Sequence, residues 1–299
     1  MPIKTVAILS PGEMGAAVGA ALHKGGLDMV TCLAGRSAPT AERAKAAGFR
    51  AVGDAETLLG EADLVLSILP PEQAPEQAAT VAAAMRRSGN RPPYADCNAV
   101  SPGTAMRIGE IIRAAGALYV DVGIVGAPPG RTDKPTRFFV SGTNAALMDA
   151  LDGKGIDVRQ CGPEEGRASA IKMCYAAITK GTSALHAAVL IAAERLGVSE
   201  ELHEELPYSV APLYKRMEAM VPALPAVSGR YIGEMREIAR TMDAAGLSPD
   251  FHIGATELYE LLEKSPFASE RRDTVDPDRT LRQTIEVCAR YVGTRPAVE

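Results

Sequence analysis

Two segments of this chain hold residue types that can do chemistry. The first is Val6-Ala7-Ile8-Leu9 running into Ser10-Pro11-Gly12-Glu13-Met14-Gly15, an apolar strand that turns through glycine into a helix. Gly12 lets backbone N–H groups approach a diphosphate and Gly15 lets helix and strand touch, while the helix's free amides and partial positive charge hold the anion. Ser10 stands where G-x-G-x-x-G usually begins, so context carries the reading: strand before, helix after, a second strand at 29–33. A tight strand–helix turn with no ligand is the plainer alternative. The second segment is 168–193, whose only charged side chains are Lys172 and Lys180. An ammonium on a buried helix loses hydration and its pKa falls, and such a lysine both donates and accepts protons. In carbonyl reduction Lys172 protonates the oxygen while hydride reaches the carbon; a structural ion pair is the alternative. Lys180, two turns on, either anchors an anionic substrate or carries its head to the surface.

Further candidates lie where strands end. Arg36-Ser37 follows the second strand, where a nicotinamide cofactor presents its adenosine ribose. NAD-selective sites place a carboxylate there, whereas 34–37 has none, and an arginine suits a 2′-phosphate. NADP is therefore expected over NAD. Leu69 and Pro70, before Pro71, follow the strand at 63–68 and would lie beside the ribose. Asp96-Cys97-Asn98 ends the next strand and leads to Ser101-Pro102, a helix N-cap followed by proline in the first turn. Asn98 either orients nicotinamide or substrate through its amide or closes a turn. The set Arg230, Glu234, Arg236, Glu237 and Arg240 reads as helix-surface ion pairs. Four scattered histidines and five cysteines without a C-x-x-C pair offer no metal spacing and no disulfide framework.

To position these groups the chain needs a scaffold, and its pattern supplies one. Strand-like runs at 3–9, 29–33, 63–68, 94–97, 117–121, 137–141 and 156–160 alternate with helical patterns at 14–24, 38–47, 71–86, 102–115 and 145–151. That alternation predicts a doubly wound α/β domain, a parallel sheet covered on both faces, over 1–162. Ligands bind such sheets at the carboxyl ends of the strands. From 163 to 299 the pattern is helical and predicts an all-helical substrate and dimerisation domain. A helix over 165–196, apolar on nearly every face, predicts burial on nearly every face, with a second copy supplying part of the cover in a homodimer. The net charge of −5 argues against a nucleic-acid partner. The sequence shows no signal peptide, and its least charged stretch, 182–193, is too short to cross a bilayer. A cytoplasmic protein with a small-molecule substrate, no membrane and no metal is the expectation.

At this point the residues resemble a family. Gly12-Glu13-Met14-Gly15, then Asp96-Cys97-Asn98-Ala99-Val100-Ser101-Pro102, then Asp121-Val122-Gly123-Ile124-Val125-Gly126-Ala127, then Gly166-Arg167-Ala168-Ser169-Ala170-Ile171-Lys172 occur in order. Together they are similar to the β-hydroxyacid dehydrogenases of the 6-phosphogluconate dehydrogenase superfamily, in the subgroup with an uncharacterised phosphogluconate-dehydrogenase-like C-terminal domain. The stretches at 171–177 and 233–239 look typical of that subgroup. The resemblance implies a Rossmann-type domain, Lys172 as general acid/base with Asn98 beside it, and a substrate loop at Val125, Gly126 and Ala127 near Tyr175. Two polar residues of the family pattern are missing: Val125 stands for a serine and Ala176 for an asparagine. The implied function is NADP-dependent hydride transfer, with NAD possible, between nicotinamide and a small alcohol/carbonyl, hydroxyacid-like substrate that is less polar or bulkier than the familiar acids. The missing contacts equally fit a non-catalytic NADP(H)-binding sensor or interaction protein.

Overall fold

Residues 2–271 and 274–293 are described in a computed structural model. Strands whose central members are apolar and buried on both faces assemble into one eight-stranded sheet of order β3-β2-β1-β4-β5-β6-β7-β8. The strands are β1 (Thr5–Ile8), β2 (Asp28–Cys32), β3 (Arg50–Val52), β4 (Leu64–Ser67), β5 (Tyr94–Asp96), β6 (Tyr119–Val125), β7 (Thr136–Ser141) and β8 (Ile156–Gln160). Pleating sends Val6 and Ile8 to one core and Ala7 to the other. Helices α1 (Glu13–Lys24), α2 (Ala38–Ala46), α3 (Ala55–Glu61), α4 (Ala74–Ser88) and α5 (Pro102–Arg113) are threaded between the strands. The strand order reverses between β1 and β4, which makes the ends of these two strands the place for a ligand.

Three departures from the sequence reading have plain causes. The sheet is not wholly parallel: β7 runs antiparallel to β6. Only residues 126–135 join the two, fewer than the dozen or so that a parallel crossover needs. β3 and α3 were not expected; α3 is announced only by Asp54, whose side chain accepts the Thr57 N–H at 2.7 Å. Residues 145–151 form 3₁₀ rather than α-helix.

The chain divides into compact units of 1–175 and 176–299, later than the expected junction at 162. The reason is that α6 (Arg167–Ala176) is fastened to the sheet by buried hydrogen bonds described below. In the second unit the regular elements among the described residues are helices: α7 (Thr182–Leu196), α8 (Ser199–Ser209), α9 (Ala211–Met220), α10 (Ser228–Ala244), α11 (Asp250–Glu263) and α12 (Leu281–Ala289).

Its own chain covers the long helix only in part. Arg167–Leu196 runs as one helix through a π-helical turn at Ala177–Gly181. Only half of its most apolar window is buried, and Ile178 (71%), Leu185, Val189 and Leu196 (76%) stand exposed. At 30 residues this helix is also long and apolar enough to span a bilayer, so the shortness of 182–193 does not exclude it. Its own chain nevertheless covers half of it and pairs the Lys180 ammonium with Glu234.

Candidate functional site

The strand–turn–helix at residue 12 sets the start of α1 close against the end of β1. Gly15 sits where an added Cβ would lie 2.5 Å from the Ser10 carbonyl oxygen and 3.3 Å from Ile8 Cγ2, so only glycine allows α1 to start this close to β1. A Cβ on Gly12 would meet nothing within 4 Å, which leaves open space above the turn. The N-cap residue of α1 is Gly12, which carries no side chain to cap the helix start. An open glycine at a helix start set close to its strand is what a dinucleotide diphosphate requires. The residues present fit such a cofactor.

Arg36 and Ser37 follow β2 at the edge of the same switch point. The Arg36 guanidinium is half-buried and reaches the Leu9 carbonyl at 3.4 Å, folding back toward β1. Ser37 is the N-cap residue of α2, with its hydroxyl 3.0 Å from that of Thr40 rather than on the helix backbone.

Asn98 is buried and held at both ends of its amide. Its Oδ1 accepts the Leu69 N–H at 2.6 Å, and its Nδ2 donates to Ser67 Oγ at 3.0 Å and to the Asp96 carboxylate. Both ends of the amide are thereby engaged inside the protein. The side chain ties the end of β5 to the Leu69-Pro70 turn after β4. Leu69 is half-buried and Pro70 exposed.

A row of buried polar residues crosses the sheet here, each opposite the next: Ser67 on β4, Asp96 on β5, Asp121 on β6 and Ser141 on β7. Asp121 is the most heavily used. It accepts Ser141 Oγ (2.8 Å), Ser169 Oγ (2.5 Å) and the backbone N–H groups of Gly166 (3.0 Å) and Ser169 (3.2 Å). Ser141 Oγ in turn accepts the Ala168 N–H at 3.0 Å. A carboxylate from one strand and a hydroxyl from its neighbour thus cap α6, with negative charge at the positive helix end. Burial pushes the Asp121 carboxyl above the usual range even against these four donors. What the network achieves is position.

The position concerns Lys172. A Cβ on Gly123 would lie 2.4 Å from the Ala168 carbonyl oxygen and 3.0 Å from Lys172 Cβ. Helix α6 therefore lies directly on β6, with the lysine stem over Gly123. Lys172 is half-buried, not enclosed. The segment 122–125 belongs to β6 rather than to a loop, and the turn begins only at Gly126, whose φ of +115° favours glycine. Val125 and Ala127 are half-buried, and Tyr175 is 45% exposed.

Lys180 lies in the other unit and is committed elsewhere. Its ammonium pairs with the buried Glu234 and lies 4.9 Å from the centre of the Tyr231 ring, while Tyr259 donates to its carbonyl at 2.8 Å. With its charge answered inside the chain, the substrate-anion role is not supported. The same contact corrects the reading of Glu234 as a surface group, and Glu237 is buried as well. Sequence reasoning missed the roles of Asp121, Gly123, Ser141 and Ser169. The available signal was polar residues closing otherwise apolar strands.

Residues 5–152 match the NAD-binding domain of 6-phosphogluconate dehydrogenase, and residues 193–262 match a domain of unknown function (DUF1932). An uncharacterised 28.5 kDa protein of Methanothermus fervidus is 30% identical over 180 residues, 60% of this chain and 67% of its own length. A conserved protein of unknown function, whose structure is described as similar to 3-hydroxyacid dehydrogenases, is 28% identical. That likeness covers 87% of this chain and 96% of the other, with a TM-score of 0.63. A 3-hydroxyisobutyrate dehydrogenase of Salmonella typhimurium shares the fold at 16% identity, a TM-score of 0.67, and coverage of 91% and 98%.

Proposed function

We propose a function for a chain that belongs to the 6-phosphogluconate dehydrogenase superfamily: it is an NADP-dependent oxidoreductase acting on a small alcohol/carbonyl pair. The observation that carries this reading is the docking of α6 on β6, which fixes Lys172 over Gly123 at the ligand-binding edge of a sheet whose first turn is an open diphosphate cradle. When bound, the nicotinamide supplies or accepts the hydride. The chain's own residues do the rest. The amides at the start of α1 hold the diphosphate, Asn98 braces the Leu69-Pro70 turn, and Lys172 exchanges a proton with the substrate oxygen. Val125 and Ala176 bring no polar contact to the substrate, which supports one less polar or bulkier than the short hydroxy acids.

The Arg36 guanidinium, with Ser37 and Thr40 at the start of α2, favours a 2′-phosphate and hence NADPH over NADH. Nicotinamide fluorescence reports binding directly, because the chain has no tryptophan. Arg36→Ala is expected to weaken NADPH about tenfold or more, the worth of a charge-assisted contact, while NADH changes about twofold at most. Tighter binding of NADH than NADPH by the parent protein would reverse the assignment. Tight NADPH binding with no hydride transfer across a panel of alcohols, aldehydes and ketones would favour a sensor.

The exposed stripe of Ile178, Leu185, Val189 and Leu196 supports a homodimer, since one helix face of this apolarity normally meets a partner. The double change of Ile178→Glu with Leu185→Glu is expected to leave a monomer by light scattering. A parent protein that is already monomeric at micromolar concentration would refute this. Five free cysteines fit a cytoplasmic setting.

A further inference from the structure

Glu13 is the first residue of α1, inside the glycine turn, and its carboxylate is an electrostatic liability there. The orphan amides of a helix start attract anions, and an acidic side chain in that turn both competes for them and repels a diphosphate. The fold answers the charge from far away in sequence. The Arg131 guanidinium lies 2.9 Å from Glu13 Oε1. Arg131 belongs to the segment 126–135 that joins β6 to β7, whereas Glu13 follows β1.

In the sheet β6 is three strands from β1 by way of β4 and β5, about 14 Å at about 4.8 Å per strand. The segment and its arginine therefore reach across the carboxyl ends of β4 and β5. The reach is braced internally. Thr136 donates to the Ala127 carbonyl at 2.6 Å, and the Arg131 N–H closes a turn onto Pro128 at 3.1 Å. Glycines at 126 and 130 take the positive φ angles, +115° and +82°, that let the segment turn twice.

We propose that Arg131 is part of the dinucleotide site: by pairing with Glu13 it cancels the negative charge that would otherwise face the diphosphate. The inference rests on the cofactor reading above but not on the chemistry of Lys172. Its effect falls on the shared diphosphate, so NADPH and NADH are affected alike, in contrast to Arg36.

The test is a double-mutant cycle read by nicotinamide fluorescence, with adenosine 2′-monophosphate, which lacks a diphosphate, as the control ligand. Both residues are at least one-third exposed, which keeps the expected effect modest. Arg131→Ala should raise Kd for NADPH and NADH about three- to tenfold and leave adenosine 2′-monophosphate unchanged. Adding Glu13→Gln should bring both dinucleotides back to within about twofold of the parent, because no charge then needs cancelling. Parent-like dinucleotide binding by Arg131→Ala overturns the proposal, as does a loss that Glu13→Gln fails to restore. Failure of the parent to bind any nicotinamide dinucleotide would instead sink the cofactor reading itself.

Discussion

Lys172→Ala is expected to lower turnover about 10²–10⁴-fold while leaving NADPH affinity within about twofold, the range for removal of a general acid/base from a site whose cofactor cradle is intact. The prediction separates chemistry from binding because the cradle lies at the start of α1 and the lysine on α6. Lys172→Met is the informative companion. It keeps the stem that packs over Gly123 and removes only the ammonium, so its activity should match that of the alanine variant. The measurement is NADPH oxidation or NADP⁺ reduction with whichever substrate from a carbonyl and alcohol panel supports the parent enzyme. Substantial activity in both variants would remove Lys172 from the mechanism and leave the fold reading untouched.

Gly123→Ala should reach the same chemistry without touching the lysine. The new methyl would sit 2.4 Å from a backbone carbonyl of α6, an obstacle that cannot rotate away, so the helix must shift off β6. Overpacking of this kind destabilises by about 1–3 kcal/mol. A lysine displaced by about 1 Å costs turnover about 10²-fold. NADPH binding should be little changed. The control is Gly103→Ala on α5, where the added methyl meets nothing within 4 Å. Thermal melts, NADPH titration and kcat together decide the matter. A Gly123→Ala protein with parent-like kcat would mean that the seat of α6 on β6 does not set the position of the catalytic group.

Asp121 belongs to the same device, and it explains why part of the site was hard to read. Its partners Gly166 and Ser169 lie 45 and 48 residues away, and nothing in their local spacing marks them as its ligands. That α6 groups with the first unit was hard to read for the same reason, since the bonds that hold it there are long-range contacts. Asn98 shows the converse. It was legible as a polar residue at a strand end, but its partners at Ser67 and Leu69 come from β4 and the turn after it. Only their positions reveal that its amide is spent on bracing.

From residue order alone came the elements with local causes: apolar runs of strand length, the glycine turn into α1, the helical C-terminal half, and Lys172 as a charge in an apolar stretch. These follow from backbone sterics and periodicity within some twenty residues. Tertiary structure decided the rest, namely the antiparallel turn of β7, the pairing of Lys180 with Glu234, the exposed stripe on the long helix and the reach of Arg131 to Glu13. Each depends on which distant segments share a sheet edge or a buried pocket, and on whether burial or a hydrogen bond prevails there.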